Sequence, residues 1–319
     1  MRAALLLLST AALFTVSPPG AEARDATTTP PPLEAEFLAD HPLAGVIVGP
    51  DGARLSAGAL VEQLVDAPLI LLGEQHDHPD HHRLRAWLIE QLVASGRSPA
   101  LVFEHVHTGL ADALADCVSS RCDLDEALPH ALEWEARWPN WSMFRPLFEA
   151  AWRLDLDVEA GNAPPDRVRA LARGERVPGE ALAETLDARP DARRAELRSL
   201  LARSHCDLLP DEALDGMLVA QTARDLAMAD AMHGHDDAIL LAGNGHVDSR
   251  LGVPWILGLK PDAAQTRAVV FAPVSREYRT VEAARAVAPA ADYIWFTPRV
   301  SMDDPCDRMR EAMDRATEP

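Results

Sequence analysis

Six short apolar segments alternate with longer segments of helical periodicity, and this alternation is the feature that most restricts the fold. The segments lie at residues 68–72, 100–103, 156–160, 238–242, 268–271 and 293–296; in the third, Asp157 and Glu159 alternate with the apolar residues. Apolar runs of four or five residues are typical of strands that are buried on both faces of a parallel sheet. Helices are predicted at roughly 57–66, 79–95, 108–118, 124–133, 142–154, 164–173, 180–203 and 211–233. The sequence therefore predicts an α/β fold with a mostly parallel central sheet and helices on both faces.

The amino-terminal residues have the organisation of a secretory signal peptide. Arg2 precedes an apolar run from Ala3 to Val16, and Ala21-Glu22-Ala23 supplies a small-residue cleavage site. The run is shorter than the roughly 20 residues that a membrane-spanning helix needs, and no cysteine near the cleavage site offers a lipid attachment point. We predict a periplasmic or secreted protein with a cleaved signal peptide at 1–23, a flexible leader at 24–36 and a single α/β domain at 37–319.

The formal net charge of −20 restricts the kinds of partner that this chain can bind. Nucleic acid calls for a basic face, so we exclude it as a partner. No later stretch is apolar and long enough to cross a membrane. An acidic surface favours solubility and does not repel cationic or metal-containing ligands. We therefore predict a small-molecule ligand; the oligomeric state is not defined by the sequence, and a homodimer is compatible with it.

The four cysteines are expected to form disulfides, because the chain is predicted to be exported. They are Cys117, Cys122, Cys206 and Cys306. Cys117 and Cys122 are close enough in sequence to close a small loop, which would leave the other two to pair. The three connectivities cannot be separated from the sequence. A zinc site made of all four is the weaker interpretation, since no C-x2-C spacing is present.

Polar side chains that can bind a metal follow four of the predicted strands. They are Glu74 and His76 after the strand at 68–72, Glu104 and His105 after 100–103, Asn162 after 156–160, and Asn244 and His246 after 238–242. The carboxyl ends of parallel strands meet at one edge of a sheet, so these groups are expected to line one cleft. Each residue alone would more often be structural, but their shared position favours a functional site.

Four of these residues are the main candidates for ligand binding. Glu74 and His76 offer an oxygen and an imidazole two residues apart, and His246 lies in a glycine-flanked turn. Glu104 fits three roles, namely a metal ligand, a partner that fixes a histidine tautomer, or a general base.

Secondary candidates lie around the first motif and on one later helix. Arg85 is expected either to lie at the surface or to pair with a carboxylate or other anionic group, and His78 and His82 are expected to be bystanders. Gln221, Arg224 and Asp225 share one helical face, which is either solvated or lines the site. The secondary set is Asp77, His81, Arg85, His105, Asn162, Gln221, Arg224, Asp225 and Asn244.

Several short motifs occur in order between about residues 65 and 258. They are Leu71-Leu72-Gly73-Glu74-Gln75-His76-Asp77 with His81-His82, Val102-Phe103-Glu104-His105, Trp141 with Phe144-Arg145-Pro146, Gly161-Asn162-Ala163-Pro164, His205-Cys206, Gln221-Thr222-Ala223-Arg224-Asp225 with Met228-Ala229, Gly243-Asn244-Gly245-His246-Val247, and Gly252-Val253-Pro254. Together they resemble the motifs of the ChaN-like haem-binding uptake proteins of the Tiki superfamily. The resemblance implies an exported α/β protein of haem or iron uptake, with haem as its ligand at Glu74, His76, Glu104 and His246.

The wider superfamily implies an alternative function, metal-dependent hydrolysis, and leaves open whether the chain is an enzyme. It includes Tiki-type metalloproteases and erythromycin-esterase-like enzymes, which keep a Gly-x-x-His element and a later histidine. Gly73-Glu74-Gln75-His76 and His246 match those positions. In this alternative Glu74, His76 and His246 hold a divalent metal ion or activate water, and Glu104 is the catalytic base.

Two features of the chain depart from the family pattern. Family members are often lipoproteins, whereas this chain has no anchoring cysteine. Haem ligation in the family has been associated with tyrosine, and this chain has only Tyr278 and Tyr293, both beyond the matched region. A histidine is therefore the expected axial ligand. An aromatic-rich segment at 134–152 is expected to serve packing, with a wall for a flat porphyrin as the alternative.

Overall fold

The computed structural model describes residues 29–138, 140–304, 306–307, 309–311 and 315. The predicted signal peptide at 1–23 and the first part of the predicted leader lie outside the described residues. Within the described residues, no helix is long and apolar enough to cross a membrane.

In the described part of the chain, eight strands form one sheet in the order β2-β1-β8-β7-β3-β6-β4-β5. Their bounds are β1 Ile47–Val48, β2 Arg54–Leu55, β3 Leu69–Leu72, β4 Ala100–His107, β5 Val158–Asn162, β6 Ala238–Leu241, β7 Thr266–Pro273 and β8 Tyr293–Thr297. The strands from β8 to β5 are all parallel, and only β1 pairs antiparallel, with both β2 and β8. The predicted α/β fold with a mostly parallel sheet is confirmed.

Helices connect the strands and cover the sheet. Their bounds are α1 Ala57–Leu64, α2 Pro79–Ala94, α3 Ala111–Ser120, α4 Ala127–Ala131, α5 Trp141–Leu154, α6 Pro165–Ala172, α7 Glu180–Ala188, α8 Asp191–Ser204, α9 Asp211–His233, α10 Val253–Leu257 and α11 Val281–Val287, with short 3-10 helices at Thr108–Leu110 and Trp134–Ala136. The single helix predicted at 180–203 is wrong, since α7 and α8 replace it. Pro190 separates them because proline lacks an N–H group and forces the preceding Arg189 into an extended conformation.

Both faces of the sheet are buried, and the alternation along β3 shows how. Ile70 and Leu72 pack into a core with α1, α2, α3 and α5, whereas Leu69 and Leu71 pack into a second core with α9, α10 and α11. Successive side chains of a strand point to opposite faces, so a strand that is apolar throughout serves both cores. The uniform apolar runs in the sequence therefore have a direct structural cause.

The carboxyl ends of three neighbouring strands form the edge where the predicted site residues lie. Leu241 of β6 pairs with Leu72 of β3 on one side and with Phe103 of β4 on the other. The strand β4 was predicted to end at Phe103, but it continues to His107. Glu104 and His105 therefore extend beyond the end of β6 while they are still held in a strand, and their side chains point to opposite faces of the sheet.

Two disulfides are present among the described residues. Cys117 at the end of α3 pairs with Cys122, with 4.8 Å between their Cα atoms. Cys206, just after α8, pairs with Cys306 near the carboxyl terminus across a sequence separation of 100 residues. The prediction of disulfides rather than metal ligands agrees with this structure, which also selects one of the three connectivities that the sequence left open.

Candidate functional site

A tight contact between Gly73 and the turn after β6 forms the floor of the site. The backbone N–H of Asn244 donates to the Glu74 carbonyl at 2.8 Å, and its side-chain amide donates to the Phe271 carbonyl at 2.7 Å. A Cβ atom at position 73 would overlap Asn244 Oδ1 and would lie 2.8 Å from Val247 Cγ2. Only glycine allows this approach, so the glycine holds the ends of β3 and β6 together.

Glu74 is the centre of a buried polar cluster, which we call the Glu74 cluster. Its Oε1 lies 2.5 Å from His76 Nδ1 and 2.8 Å from His105 Nε2. Its Oε2 accepts a hydrogen bond from Arg85 Nη2 and lies 3.1 Å from His82 Nδ1. The side chains of Glu74 and Arg85 are fully buried. Arg85, His76 and His105 donate to this carboxylate, which needs donors because isolated charge in the protein interior is strongly disfavoured. His82 donates from Nε2 to the His76 carbonyl, so its Nδ1 accepts from Arg85 and does not donate to Glu74.

Arg85 carries the positive charge of this cluster. Burial lowers the pKa of Arg85 to about 9, so the guanidinium is charged at neutral pH. Of the two expectations for Arg85, pairing with a carboxylate is the one found, and the surface position is wrong.

His76 is the member of the Glu74 cluster that faces solvent, with 43% of its side chain exposed. Its ring contacts Trp138 at a centroid distance of 4.8 Å. In the described part of the chain, no hydrogen bond reaches its Nε2 atom. Since the other nitrogen is held by Glu74, Nε2 is the ring atom that can bind a ligand.

A second polar cluster, the His246 cluster, lies on the α9 side of the strand ends. His246 Nδ1 lies 2.5 Å from Asp225 Oδ1 and 3.0 Å from the Gln221 amide nitrogen. Its Nε2 lies 3.2 Å from Glu104 Oε1. Asp225 is fully buried, and His246 is 7% exposed. Both imidazole nitrogens therefore face carboxylates.

The charges in the His246 cluster follow from these contacts. Burial disfavours a charge on His246, but Glu104 and Asp225 outweigh it and raise the pKa of His246 to about 10. Burial alone would raise the pKa of Glu104, yet positively charged His246 holds that pKa well below its usual range. Burial raises the pKa of Asp225. At neutral pH the cluster is an imidazolium paired with the ionised Glu104.

The two clusters meet at Gly243. Its backbone N–H donates to Glu104 Oε2 at 2.6 Å. A Cβ atom at this position would lie 3.1 Å from His76 Nε2 and 3.6 Å from Glu104 Oε2. The bare backbone therefore leaves room beside the free nitrogen of His76.

A cleft of about 860 Å³ opens above these strand ends. One wall is apolar and comes from α8 and α9; its residues are Leu197, Leu200, Leu201 and Met217. The strand ends contribute Glu74, His76 and His246, and Arg203 and Arg224 add positive charge. His205 and the Cys206–Cys306 disulfide complete the lining at the end of α8. The cleft lies within the usual size range of small-molecule sites and combines apolar area with a few polar groups.

The structure brings most, but not all, of the predicted residues to the cleft. Asp77, Gln221, Arg224 and Asn244 line it. Asn162 contacts the backbone of a site residue: its side-chain amide donates to the Glu104 carbonyl at 2.9 Å. His105 belongs to the Glu74 cluster.

Neither His81 nor its neighbour His82 is among the residues that line the cleft. His81 is fully buried, with Nδ1 accepting from the Gln75 N–H at 2.9 Å and Nε2 lying 2.9 Å from Thr297 Oγ1. His82, expected to be a bystander, contacts Glu74 instead. His78 stacks on His81 with 3.9 Å between ring centroids.

The group best placed to hold a bare metal ion differs from the predicted set of Glu74, His76 and His246. Among the described residues, Glu74, His76 and His105 offer three ligand atoms within 4.8 Å of one another. His246 is not part of this group, and both of its nitrogens face carboxylates instead. Trp138 and His205 were not among the predicted site residues; the aromatic-rich segment and the His205-Cys206 motif were the signals that pointed to them.

Residues 60–257 match the family model described as haem-binding uptake, Tiki superfamily, ChaN. The chain belongs to this ChaN family. Among solved structures it is similar to ChaN of Campylobacter jejuni, described with cofacial haem binding, at 20% identity and a TM-score of 0.63 over 78% of this chain and 95% of that one. A mutant of the erythromycin esterase EreC in its open conformation matches at 14% identity and a TM-score of 0.45, over 78% and 95% of the two chains. No curated protein sequence matches.

Neither tyrosine of this ChaN-family chain lines the cleft. Tyr293 lies in β8 and is 3% exposed. The Tyr278 hydroxyl donates to the Pro273 carbonyl at 3.0 Å. The cleft therefore offers imidazole, not phenol, as the side chain suited to an iron.

Proposed function

We propose that this protein binds haem in the cleft and that His76 would hold its iron. The proposal rests on which nitrogen of the His76 ring carries the proton. A carboxylate oxygen of Glu74 lies 2.5 Å from Nδ1 and can only accept, so Nδ1 carries the proton. Nε2 then presents a lone pair to the cleft, as an imidazole that binds a metal requires.

The surroundings of His76 suit a porphyrin. Leu197, Leu200 and Leu201 offer apolar contact to a flat ring, and the ring of Trp138 lies against His76. Arg203 and Arg224 offer guanidinium groups to anionic side chains of a ligand. Haem, when bound, supplies an iron with an axial position that an imidazole nitrogen can fill. The residues present therefore fit the group that the family implies.

His246 is the other main candidate, and its contacts argue against iron ligation. Its two nitrogens lie 2.5 Å from Asp225 Oδ1 and 3.2 Å from Glu104 Oε1, so both face carboxylates. An imidazolium has no lone pair for a metal. We propose instead that His246 holds Glu104 and the Gly243 turn beside His76.

We further propose that the protein acts in haem or iron uptake after export. Support comes from the family, from the apolar run with its cleavage site near Ala23, and from two disulfides, which persist in oxidising compartments. The mature chain would begin near Arg24 and work in the periplasm or outside the cell.

A hemin titration tests the binding site. Purified wild-type protein is expected to give a saturable Soret shift, and His76→Ala is expected to raise the dissociation constant by at least about 100-fold, because an axial ligand is lost. His233→Ala, an exposed histidine at the end of α9, is the matched control and should bind as wild type does. Wild-type protein without a saturable shift, or His76→Ala with unchanged affinity, would remove the assignment.

Metal-dependent hydrolysis is the second candidate, and one observation favours it. Glu74, His76 and His105 can bring three ligand atoms to one ion. His246 keeps Glu104 ionised. Glu104 Oε2 accepts from the Gly243 N–H, and Gly243 also lies beside His76 Nε2. Glu104 could therefore orient or deprotonate a water molecule on an ion held there.

Metal analysis and a single substitution distinguish this second candidate. Protein from its native compartment should then carry about one divalent ion per chain, and Glu104→Gln should lower ester or peptide hydrolysis by about 100-fold or more while the metal content stays the same. Metal-free protein that hydrolyses neither substrate class would count against it.

A further inference from the structure

We propose that a small cavity beside the cleft binds a carboxylate of the haem, held by Arg224, Arg137 and His107. The inference rests on the proposed binding of haem and adds which chemical group of the porphyrin the protein recognises. The cavity has a volume of about 100 Å³. Since a water molecule occupies roughly 30 Å³, this volume holds about three waters. It can take a carboxylate, but not a porphyrin ring.

Two ring contacts connect the cavity to His76. The Trp138 ring lies 4.8 Å from the His76 ring between centroids, and the His105 ring lies 5.7 Å from it. Trp138 and His105 both line the cavity, and Arg224 lines the cavity as well as the cleft. A carboxylate that extends past Arg224 from a ligand in the cleft therefore enters the cavity.

The two guanidinium groups of the cavity have no carboxylate partner in the part of the chain that the structure describes. Arg224 is half-buried and makes no hydrogen bond or ion pair with any described residue. Arg137 is also half-buried, and its Nη2 donates to the Leu132 carbonyl at 3.0 Å. A guanidinium presents five N–H donors in a planar fork that matches a carboxylate. Most of the donors of both arginines thus remain available to an anion.

His107 adds a donor to the same cavity. Its Nδ1 accepts from the Gly109 N–H at 3.1 Å, so the ring proton is on Nε2. Burial and the nearby charge of Arg137 lower the pKa of His107, which keeps the ring neutral at pH 7. Within the described residues, no hydrogen bond reaches this Nε2–H group. His107 therefore suits an anion, whereas His76, whose free nitrogen carries a lone pair, suits a metal.

Glu104 is the only acidic residue among the described residues that line the cavity, and its own contacts balance its charge. Its Oε1 lies 3.2 Å from His246 Nε2, and its Oε2 accepts from the Gly243 N–H at 2.6 Å. His246 is charged at neutral pH, because its carboxylate neighbours raise its pKa to about 10 against the effect of burial. The net charge of the cavity is therefore set by the two arginines.

A comparison of hemin with hemin dimethyl ester tests the cavity, because the ester keeps the iron and the ring but has no free carboxylate. Wild-type protein should bind hemin about 10-fold to 100-fold more tightly than the ester, the usual effect of hydrogen bonds to a charged group. Arg224→Met and Arg137→Met should each weaken hemin binding by about 10-fold and leave ester binding unchanged. His107→Phe should lower the preference for hemin by about 3-fold to 10-fold.

Arg194→Met is the matched control. Arg194 is half-buried on α8 and donates to the Leu186 carbonyl at 2.9 Å, much as Arg137 donates to Leu132, but it lines neither the cavity nor the cleft. This variant should keep the preference of wild type for hemin over the ester.

The possible results separate this inference from the proposed function. Equal affinities of wild-type protein for hemin and ester, as a cavity for a separate small anion would give, would overturn the inference and leave the haem site in place. An Arg224→Met protein that loses affinity for hemin and ester alike would also overturn it, since the arginine would then act through the fold. Wild-type protein that binds neither compound would overturn both. A loss confined to hemin supports both.

Discussion

Replacing Arg85 with methionine is expected to lower the free energy of unfolding by about 3–5 kcal/mol, the cost of leaving one partner of a buried ion pair without the other. The Arg85 guanidinium donates to Glu74, and both side chains are fully buried. Methionine fills much of the same volume but offers no charge. Urea unfolding followed by circular dichroism measures the effect.

Two control variants identify the cause of this loss. Arg169→Met changes the same residue type in another helix, α6, but Arg169 pairs with Asp166 and both side chains are largely exposed, so a loss below about 1 kcal/mol is expected. Glu74→Gln combined with Arg85→Met removes both charges of this buried pair and should be more stable than Arg85→Met alone. An Arg85→Met protein within about 1 kcal/mol of wild type would contradict the central role of this pair.

Raising the pH is expected to destabilise the protein through His246. Its pKa is raised from 6.5 to about 10 in the folded state. A group with a raised folded pKa contributes its full stability below the unfolded value and loses it as the pH rises through the folded value. Each unit of pKa corresponds to about 1.36 kcal/mol, so the free energy of unfolding should fall by on the order of several kcal/mol between pH 6.5 and pH 10.

Variants of His246 and of an exposed histidine make this prediction specific. His246→Gln should be less stable than wild type at pH 6.5 and should lose most of the slope between pH 6.5 and pH 10. His233→Gln should keep the slope of wild type. The same ion pair also makes stability depend on acidic pH. The folded pKa of Glu104 is lowered, so the stabilisation that Glu104 contributes is complete above the unfolded value of 4.5 and is lost as the pH falls below it toward the folded value. A wild-type stability that is flat from pH 6.5 to pH 10 would exclude a charged His246.

The position of the candidate site was predictable because it follows from the architecture. Apolar runs of four or five residues identified the central strands, and the parallel arrangement requires their carboxyl ends to meet at one edge. Glu74, His76, Glu104 and His246 do meet there. No side-chain geometry was needed for that step.

The partners of each side chain were not predictable, because they depend on contacts between distant residues. His105 and His246 come from strands that are neighbours in the sheet, yet the first joins Glu74 and the second joins Asp225. His81 and His82 are adjacent on α2 and point in different directions, and only the packing of α2 decides which one reaches Glu74. Helical periodicity also missed the break at Pro190, since the apolar pattern continues on both sides of it.

The strand order has a consequence for how the chain folds. The strand β1 is held between β2 and β8, and β3 is held between β6 and β7, so neither can complete its pairing until residues near the carboxyl terminus are available. Pairings between strands this far apart in sequence give slow folding, since a long loop must close before the contacts form. In the proposed route of export, the sheet would be completed only after nearly the whole chain has left the translocation pore. Assembly of the cleft would then be a late step in the maturation of the protein.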